Sequence, residues 1–500
     1  MKKNVFLTVF LAIALALNAG AKEYKYQTVK GDLMNSRLYT LDNGLKVYLT
    51  VNKEKPRIQT YIAVRTGSRN DPAETTGLAH YFEHLMFKGT THFGTSDYEK
   101  EAPLLKEIED RFEAYRKVTD PSLRKELYHG IDSVSQLAAQ YNIPNEYDKL
   151  MASIGAQGTN AYTSNDVTCY TEDIPSNEVE NWLRIQSDRF QNAVIRGFHT
   201  ELETVYEEYN MSLVRDMEKS INAMAKILFP THPYGTQTTL GTQEHLKNPS
   251  IVNIKNYYKR YYVPNNIAIC MSGDFDPDAT IALIDNYLGN WQPNNNLSRP
   301  EFPALKPLTA HKDSAVVGQE AENVMLGWRF AGEKELSTDT LNVLARMMCN
   351  GKAGVMELDL EQPMKVQAIQ TFPYTQTDYS AYIILGLPVA GQKLEDVKAL
   401  ILEEIEKMKR GEFDDDLLPS VKNNMKLEYY KSLLSNQSRA DKFVESFVSG
   451  RNWDVAVNTI DRINGITKQQ MVDFINRHFT DNYACVYKRQ GVDTTLEKID

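Results

Sequence analysis

Residues 75–90 read Thr75-Thr76-Gly77-Leu78-Ala79-His80-Tyr81-Phe82-Glu83-His84-Leu85-Met86-Phe87-Lys88-Gly89-Thr90. The run spells a helix marked at both ends. Thr75 or Thr76 is the expected N-cap, and the helix is expected to run to about Lys88 and stop at Gly89. Positions i, i+3 and i+4 share one helical face, so His80, Glu83 and His84 point the same way. Two neutral imidazoles one turn apart suit a zinc ion without any loop closure. An unligated carboxylate beside them suits the work of a general base. The order H-x-x-E-H is the reverse of the commoner H-E-x-x-H. With nine His in 500 residues, a chance match is roughly a one-in-a-hundred event.

A catalytic zinc keeps three protein ligands and one open position. The third ligand has to come from elsewhere in the chain. A helix expected near 200–216 carries Glu201, Glu203, Glu207 and Glu208. Thr200 and Glu203 have the spacing of a capping box. Glu201 and Glu208 lie seven apart and share a face. Helical geometry alone leaves the choice among them open. A structural zinc would want four ligands, often Cys. Cys169, Cys270, Cys349 and Cys485 are scattered with no C-x-x-C pair, so buried free thiols are expected instead.

Upstream of the helix, Asn43-Gly44 reads as a hairpin turn leading into a strand at Leu45–Val51, and 57–65 reads as another. Downstream, 97–150 changes texture. It is rich in Glu, Lys and Leu at helical spacing, with Pro121 starting a second stretch and Pro144 ending it. This predicts an inserted helical hairpin. Ile267–Ser272 reads as a buried strand, and 277–287 as a helix. Four prolines between 291 and 308 mark a linker. Beyond it the order starts again. A strand at Asn323–Arg329 precedes a helix at Thr338–Met348, strands at 365–372 and 380–388, three further helices and a last strand holding Cys485. The pattern predicts an α+β fold of two related α/β-sandwich domains, 22–290 and 309–500, each an antiparallel-rich sheet packed with helices.

Composition fits a globular protein, with 42% hydrophobic and 24% charged residues. A net charge of −10 argues against a nucleic-acid partner. Lys2 and Lys3 precede an apolar run over Val5–Leu17, and Ala19-Gly20-Ala21 is a small-residue cleavage site. Residues 1–21 therefore read as a signal peptide, which predicts export, most naturally to a periplasm. No other stretch reaches the roughly 20 apolar residues of a spanning helix, so no stable membrane anchor is expected.

The residues from Gly77 to Thr90 do not stand alone. Leu41-Asp42-Asn43-Gly44-Leu45, Thr159-Asn160-Ala161-Tyr162-Thr163, His232-Pro233-Tyr234-Gly235, and Tyr262-Val263-Pro264-Asn265-Asn266 with Gly273-Asp274-Phe275 complete a set. Over 38–290 the chain resembles the insulinase-like, pitrilysin-type zinc peptidases of the inverzincin class. The resemblance implies one zinc ion held by His80, His84 and Glu208, the later of the paired glutamates, with Glu201 in support. It implies Glu83 as general base, and Asn160, Ala161 and Tyr162 on an edge strand that pairs with an extended substrate. It also implies a metalloendopeptidase acting on peptides or small unfolded proteins. Such enzymes close a clam-shell of two halves, so a second peptidase-like half is expected in a longer chain or as a subunit. A non-catalytic scaffold subunit is the alternative. Two departures stand out. The stretch between His84 and Glu208 is long by about the length of the 97–150 insert. The second domain lacks the motif: aligning Gly351 with Gly89 sets Asn342, Ala345 and Arg346 against His80, Glu83 and His84.

Overall fold

The computed structural model describes residues 22–494, so the expected signal peptide lies outside the described residues. Twelve strands form two sheets among them. The first holds β1 (Tyr26–Gln27), β2 (Arg37–Thr40), β3 (Lys46–Val51), β4 (Arg57–Val64), β5 (Gln157–Thr163), β6 (Thr168–Pro175) and β7 (Ile267–Gly273), in the order β1-β2-β3-β7-β4-β6-β5. The second holds β8 (Lys312–Gly318), β9 (Asn323–Ala331), β10 (Ala368–Tyr374), β11 (Tyr379–Leu387) and β12 (Tyr483–Gln490), in the order β10-β11-β9-β12-β8. Only β3–β7 and β8–β12 pair in parallel. Read from those pairs inward, β3-β7-β4-β6-β5 and β8-β12-β9-β11-β10 have the same order and the same strand directions. The α+β reading and the internal repeat are both features of this fold.

Burial follows position in the sheet. β7 is central and buried at every residue, as expected of a strand covered on both faces. β5 lies at the edge and alternates between exposed and half-buried residues. Leu41 N–H donates to Leu45 O at 2.9 Å, and Gly44 at φ 87° completes the turn from β2 to β3.

Seven helices matter for the site. These are α1 (Leu78–Leu85), α2 (Tyr98–Tyr115), α3 (Pro121–Ala139), α4 (Phe198–Leu213), α5 (Asp216–Leu228), α6 (Ser337–Met348) and α7 (Asn436–Ser449). α2 and α3 occupy the 97–150 region and pack on each other, each N-capped by an aspartate, Asp97 and Asp120. α1 buries Leu78, Phe82 and Leu85 in the core beside the first sheet.

The two halves exchange helices. α5 lies on the second sheet, where Met224 and Leu228 meet Met325, Ile383 and Val486. α7 lies on the first sheet, where Phe443 and Val444 meet Tyr61, Cys169 and Cys270. An ion pair between Asp216 and Lys488 at 2.7 Å, both buried, fastens α5 to β12. A buried ammonium of this kind survives only with its partner. Gly327 makes room for the contact, since a Cβ there would sit 2.3 Å from the Met224 sulfur.

Three local expectations need correction. Neither Thr75 nor Thr76 caps α1. Its N-cap is Gly77 at φ 87°, and the Asp71 carboxylate accepts from the N–H groups of Gly77, Leu78 and Ala79 at 2.8, 3.1 and 3.0 Å. One carboxylate satisfies three orphan donors and faces the positive end of the helix, which a single hydroxyl cannot do. α1 also ends at Leu85 rather than Lys88, because Phe87 and Lys88 tighten into i→i−3 bonds to His84 and Leu85. The Thr200–Glu203 capping box is absent: α4 starts after Gly197 at φ 62°, so Thr200 is already inside the helix and Glu203 faces solvent. All four cysteines are free thiols; three are buried and Cys349 is half-buried.

Candidate metal centre

α1 and α4 pack together and bring their polar faces to one point. His80 Nε2 and His84 Nε2 lie 3.3 Å apart. The Glu208 Oε2 atom lies 3.5 Å from each of them. Three acceptor atoms converge with no proton donor among them when both imidazoles carry their hydrogen on Nδ1. That arrangement has the composition of a group able to hold a cation. A tetrahedral zinc with ligands at 2.0–2.2 Å sets its ligand atoms about 3.3–3.6 Å apart, so the donor set fits the ion in type and spacing.

The surroundings act in opposite directions on the two rings. Burial, with His84 beside it, brings His80 down to about 4, so it is neutral at physiological pH. His84 Nδ1 pairs with Glu201 Oε1 at 2.7 Å, which places its proton on Nδ1 and turns the Nε2 lone pair inward. Burial works to lower the His84 value, but the Glu201 bond and the charges of Glu208 and Glu201 raise it overall. Glu201 resists its own burial through hydrogen bonds from His84 and Lys88 and stays below the usual carboxylate range. Lys88 closes this line by pairing with the other Glu201 oxygen. His80 has no matching support: its Nδ1 is buried without a partner among the described residues.

Glu83 lies on the same face of α1, 7% exposed. Burial raises its carboxyl, opposed by a hydrogen bond donated by the Thr163 hydroxyl to Oε2. Thr163 ends β5, the edge strand that also carries Asn160, Ala161 and Tyr162. These three pair on one side with Thr171, Tyr170 and Cys169 of β6. Their other side borders a cleft of about 530 Å³ that also holds His80, Glu83, His84 and Glu208. The Asn160 side chain accepts from Ala161 N–H at 2.9 Å and covers part of that edge. The structure thus brings together the residues that the resemblance singled out: His80, Glu83, His84, Glu201, Glu208 and the Asn160–Tyr162 strand. Glu203 and Glu207, the other acids on that helix, face solvent.

Three residues escaped sequence reasoning. Lys88 and Thr163 both stood inside quoted motifs, but their partners lie 113 and 80 positions away. Asp71 carried no signal, because capping patterns are sought within three or four residues of the helix start.

Comparison with known proteins agrees with this fold. Residues 46–113 match the family described as insulinase (peptidase family M16), and residues 251–425 match the peptidase M16 inactive domain. The chain is 23% identical to the zinc protease PqqE of Helicobacter pylori over 466 residues, covering 90% of this chain and 89% of that protein. It is 22% identical to the uncharacterized zinc protease YmxG of Bacillus subtilis, covering 89% and 96%. Among solved structures, a protease from Helicobacter pylori superposes with a TM-score of 0.76 at 20% identity, over 91% of this chain and all of that one. Pitrilysin superposes with a TM-score of 0.68 at 14% identity, over 94% of this chain but 46% of its own length. The chain belongs to the insulinase-like M16 family.

Proposed function

We propose that the chain is a zinc-dependent endopeptidase that cleaves peptides or small unfolded proteins. One observation carries this reading: three acceptor atoms converge within 3.3–3.5 Å of one another beside the buried Glu83 carboxyl. His80, His84 and Glu208 would hold the ion. When bound, zinc supplies Lewis acidity and acidifies a water molecule. An extended peptide adds as a further strand to β5 at Asn160–Tyr162, so backbone hydrogen bonds rather than side chains provide most of the grip. Glu83 takes a proton from the attacking water and later delivers one to the leaving amine. Glu201 holds the His84 ring in orientation and tautomer, and Lys88 holds Glu201.

The proposed division follows the chemistry. Residues 22–290 carry the zinc site, 291–308 link the halves, and 309–500 form the metal-free partner of the same fold. A second half, on a longer chain or a separate subunit, closes the chamber, and the protein acts after export to the periplasm. Relatives named zinc proteases, matched along most of their length, support the peptidase reading. The test is Glu83→Gln. The variant should bind one equivalent of zinc and lose peptide cleavage by at least a hundredfold. Cleavage retained with zinc bound removes Glu83 from its role. No cleavage by the wild type, with or without its partner half, favours a scaffold subunit.

A further inference from the structure

Thr163 stands at the junction of two parts of the site. Its backbone pairs with Thr168 at the end of β5, and its hydroxyl donates to Glu83 Oε2. Among the described residues this hydroxyl is the one hydrogen-bond partner of the Glu83 side chain. A glutamate has three side-chain torsions, and burial alone does not select one carboxylate position. A single donor bonded to one oxygen does, and it leaves the second oxygen for the reacting proton.

The donor is itself well fixed. Threonine is branched at Cβ and stiff at χ1. β5 is bound along one side to β6, and the next turn is closed by Ser164 N–H donating to Val167 O at 2.8 Å. The Asp166 carboxylate anchors that turn, ion-paired with the Arg69 guanidinium at 3.0 Å and accepting from the Tyr234 hydroxyl at 2.8 Å. The hydroxyl of Thr163 is therefore held by a rigid frame rather than by a mobile loop.

We infer that Thr163 is a positioning residue, whose hydroxyl sets the Glu83 carboxylate in register with the strand that receives the substrate. The inference rests on the peptidase reading above and extends it. The base and the peptide backbone then share one reference, β5. A peptide seated on Asn160–Tyr162 places its scissile bond at a fixed offset from Glu83, because Thr163 directly follows Tyr162 on that strand. Loss of the hydroxyl leaves the seat intact and releases the base. The rate of the chemical step falls while substrate binding stays.

The test compares Thr163→Val, which keeps the shape and removes the donor, with Thr163→Ser, which keeps the donor. In zinc-loaded protein with its partner half, if one is required, Thr163→Val is expected to lower kcat 10- to 100-fold with KM within twofold. Thr163→Ser is expected to stay within threefold of wild type. Both should bind one equivalent of zinc and keep the wild-type Tm within 2 °C or so. Crystal structures of the metal-free proteins give a readout independent of activity. The Glu83 carboxylate should occupy one position in wild type and Thr163→Ser, and shift or spread over more than about 1 Å in Thr163→Val. A Thr163→Val enzyme with unchanged kcat, a loss confined to KM, or an unmoved Glu83 would overturn the inference. An inactive wild type beside an equally inactive Glu83→Gln would instead sink the peptidase reading, and the metal-free crystal structures would still decide Thr163.

Discussion

Replacing Asp71 with alanine should loosen the helix that carries His80 and His84 without touching either histidine. The Asp71 carboxylate meets three backbone N–H groups, at Gly77, Leu78 and Ala79, over 2.8–3.1 Å. A buried donor left without a partner costs about 1–3 kcal/mol. Taking the low end for each, since water reaches part of the gap, gives a total of about 3 kcal/mol. That cost falls on the first turn of α1, where the chain enters through Gly77 at φ 87°, a position at which a Cβ would sit 2.7 Å from the Leu240 carbonyl oxygen. About 1.4 kcal/mol corresponds to tenfold in an equilibrium constant, so local opening of α1 should become roughly a hundredfold more frequent. Hydrogen exchange of the metal-free protein measures this directly. Amides of Phe82 to Met86 should lose about two decades of protection, while those of α7 on the far face of the sheet should be unchanged. Asp71→Asn keeps one acceptor and should lose about one decade. Protection of α1 within threefold of wild type in Asp71→Ala would refute the reasoning. So would an equal loss in α7, which would mean a global rather than a local effect.

Two further outcomes follow from the packing between the halves. Burial, with Glu445 alongside and Arg451 opposing, pushes Glu333 up from 4.5 to about 7. The folded state then holds this proton to higher pH than the unfolded chain, so the group costs stability progressively as pH rises from about 4.5 to about 7. Glu333→Gln should raise Tm at pH 8 and leave it unchanged at pH 4, as read by calorimetry; an equal shift at both would contradict this. The exchanged helices make a second case. A fragment of residues 22–308 lacks α7 and uncovers Tyr61, Cys169 and Cys270 on the first sheet. It should show no near-ultraviolet dichroism alone and regain it on mixing with 309–494.

Legibility in the sequence tracked the range of each interaction. The α1 motif was readable because His80, Glu83 and His84 lie within one helical turn and a half. The repeat was readable from the matching strand-and-helix order on both sides of the 291–308 linker, and the same strand order recurs in the two sheets. The third acid was different. Spacing alone left four glutamates in play, and only the resemblance singled out Glu208. The structure separates them by direction: Glu208 faces both imidazoles, Glu201 faces His84 Nδ1, and Glu203 and Glu207 face water. The caps failed because their rules are local. Asp71 reaches α1 across a folded loop, and Gly197 starts α4 earlier than Thr200 suggests. Helix exchange was beyond reach for a related reason. An apolar stripe on α5 or α7 reports that a face is buried, and carries no mark of which sheet buries it.

The central claim is a single cation gripped by two imidazoles and one carboxylate. Diffraction from zinc-loaded crystals at wavelengths on either side of the zinc absorption edge addresses it most directly. The account requires one anomalous peak, about 2.0–2.2 Å from His80 Nε2, His84 Nε2 and a Glu208 oxygen. No peak there after loading, or an ion held elsewhere with Glu208 turned away from the two rings, would contradict it.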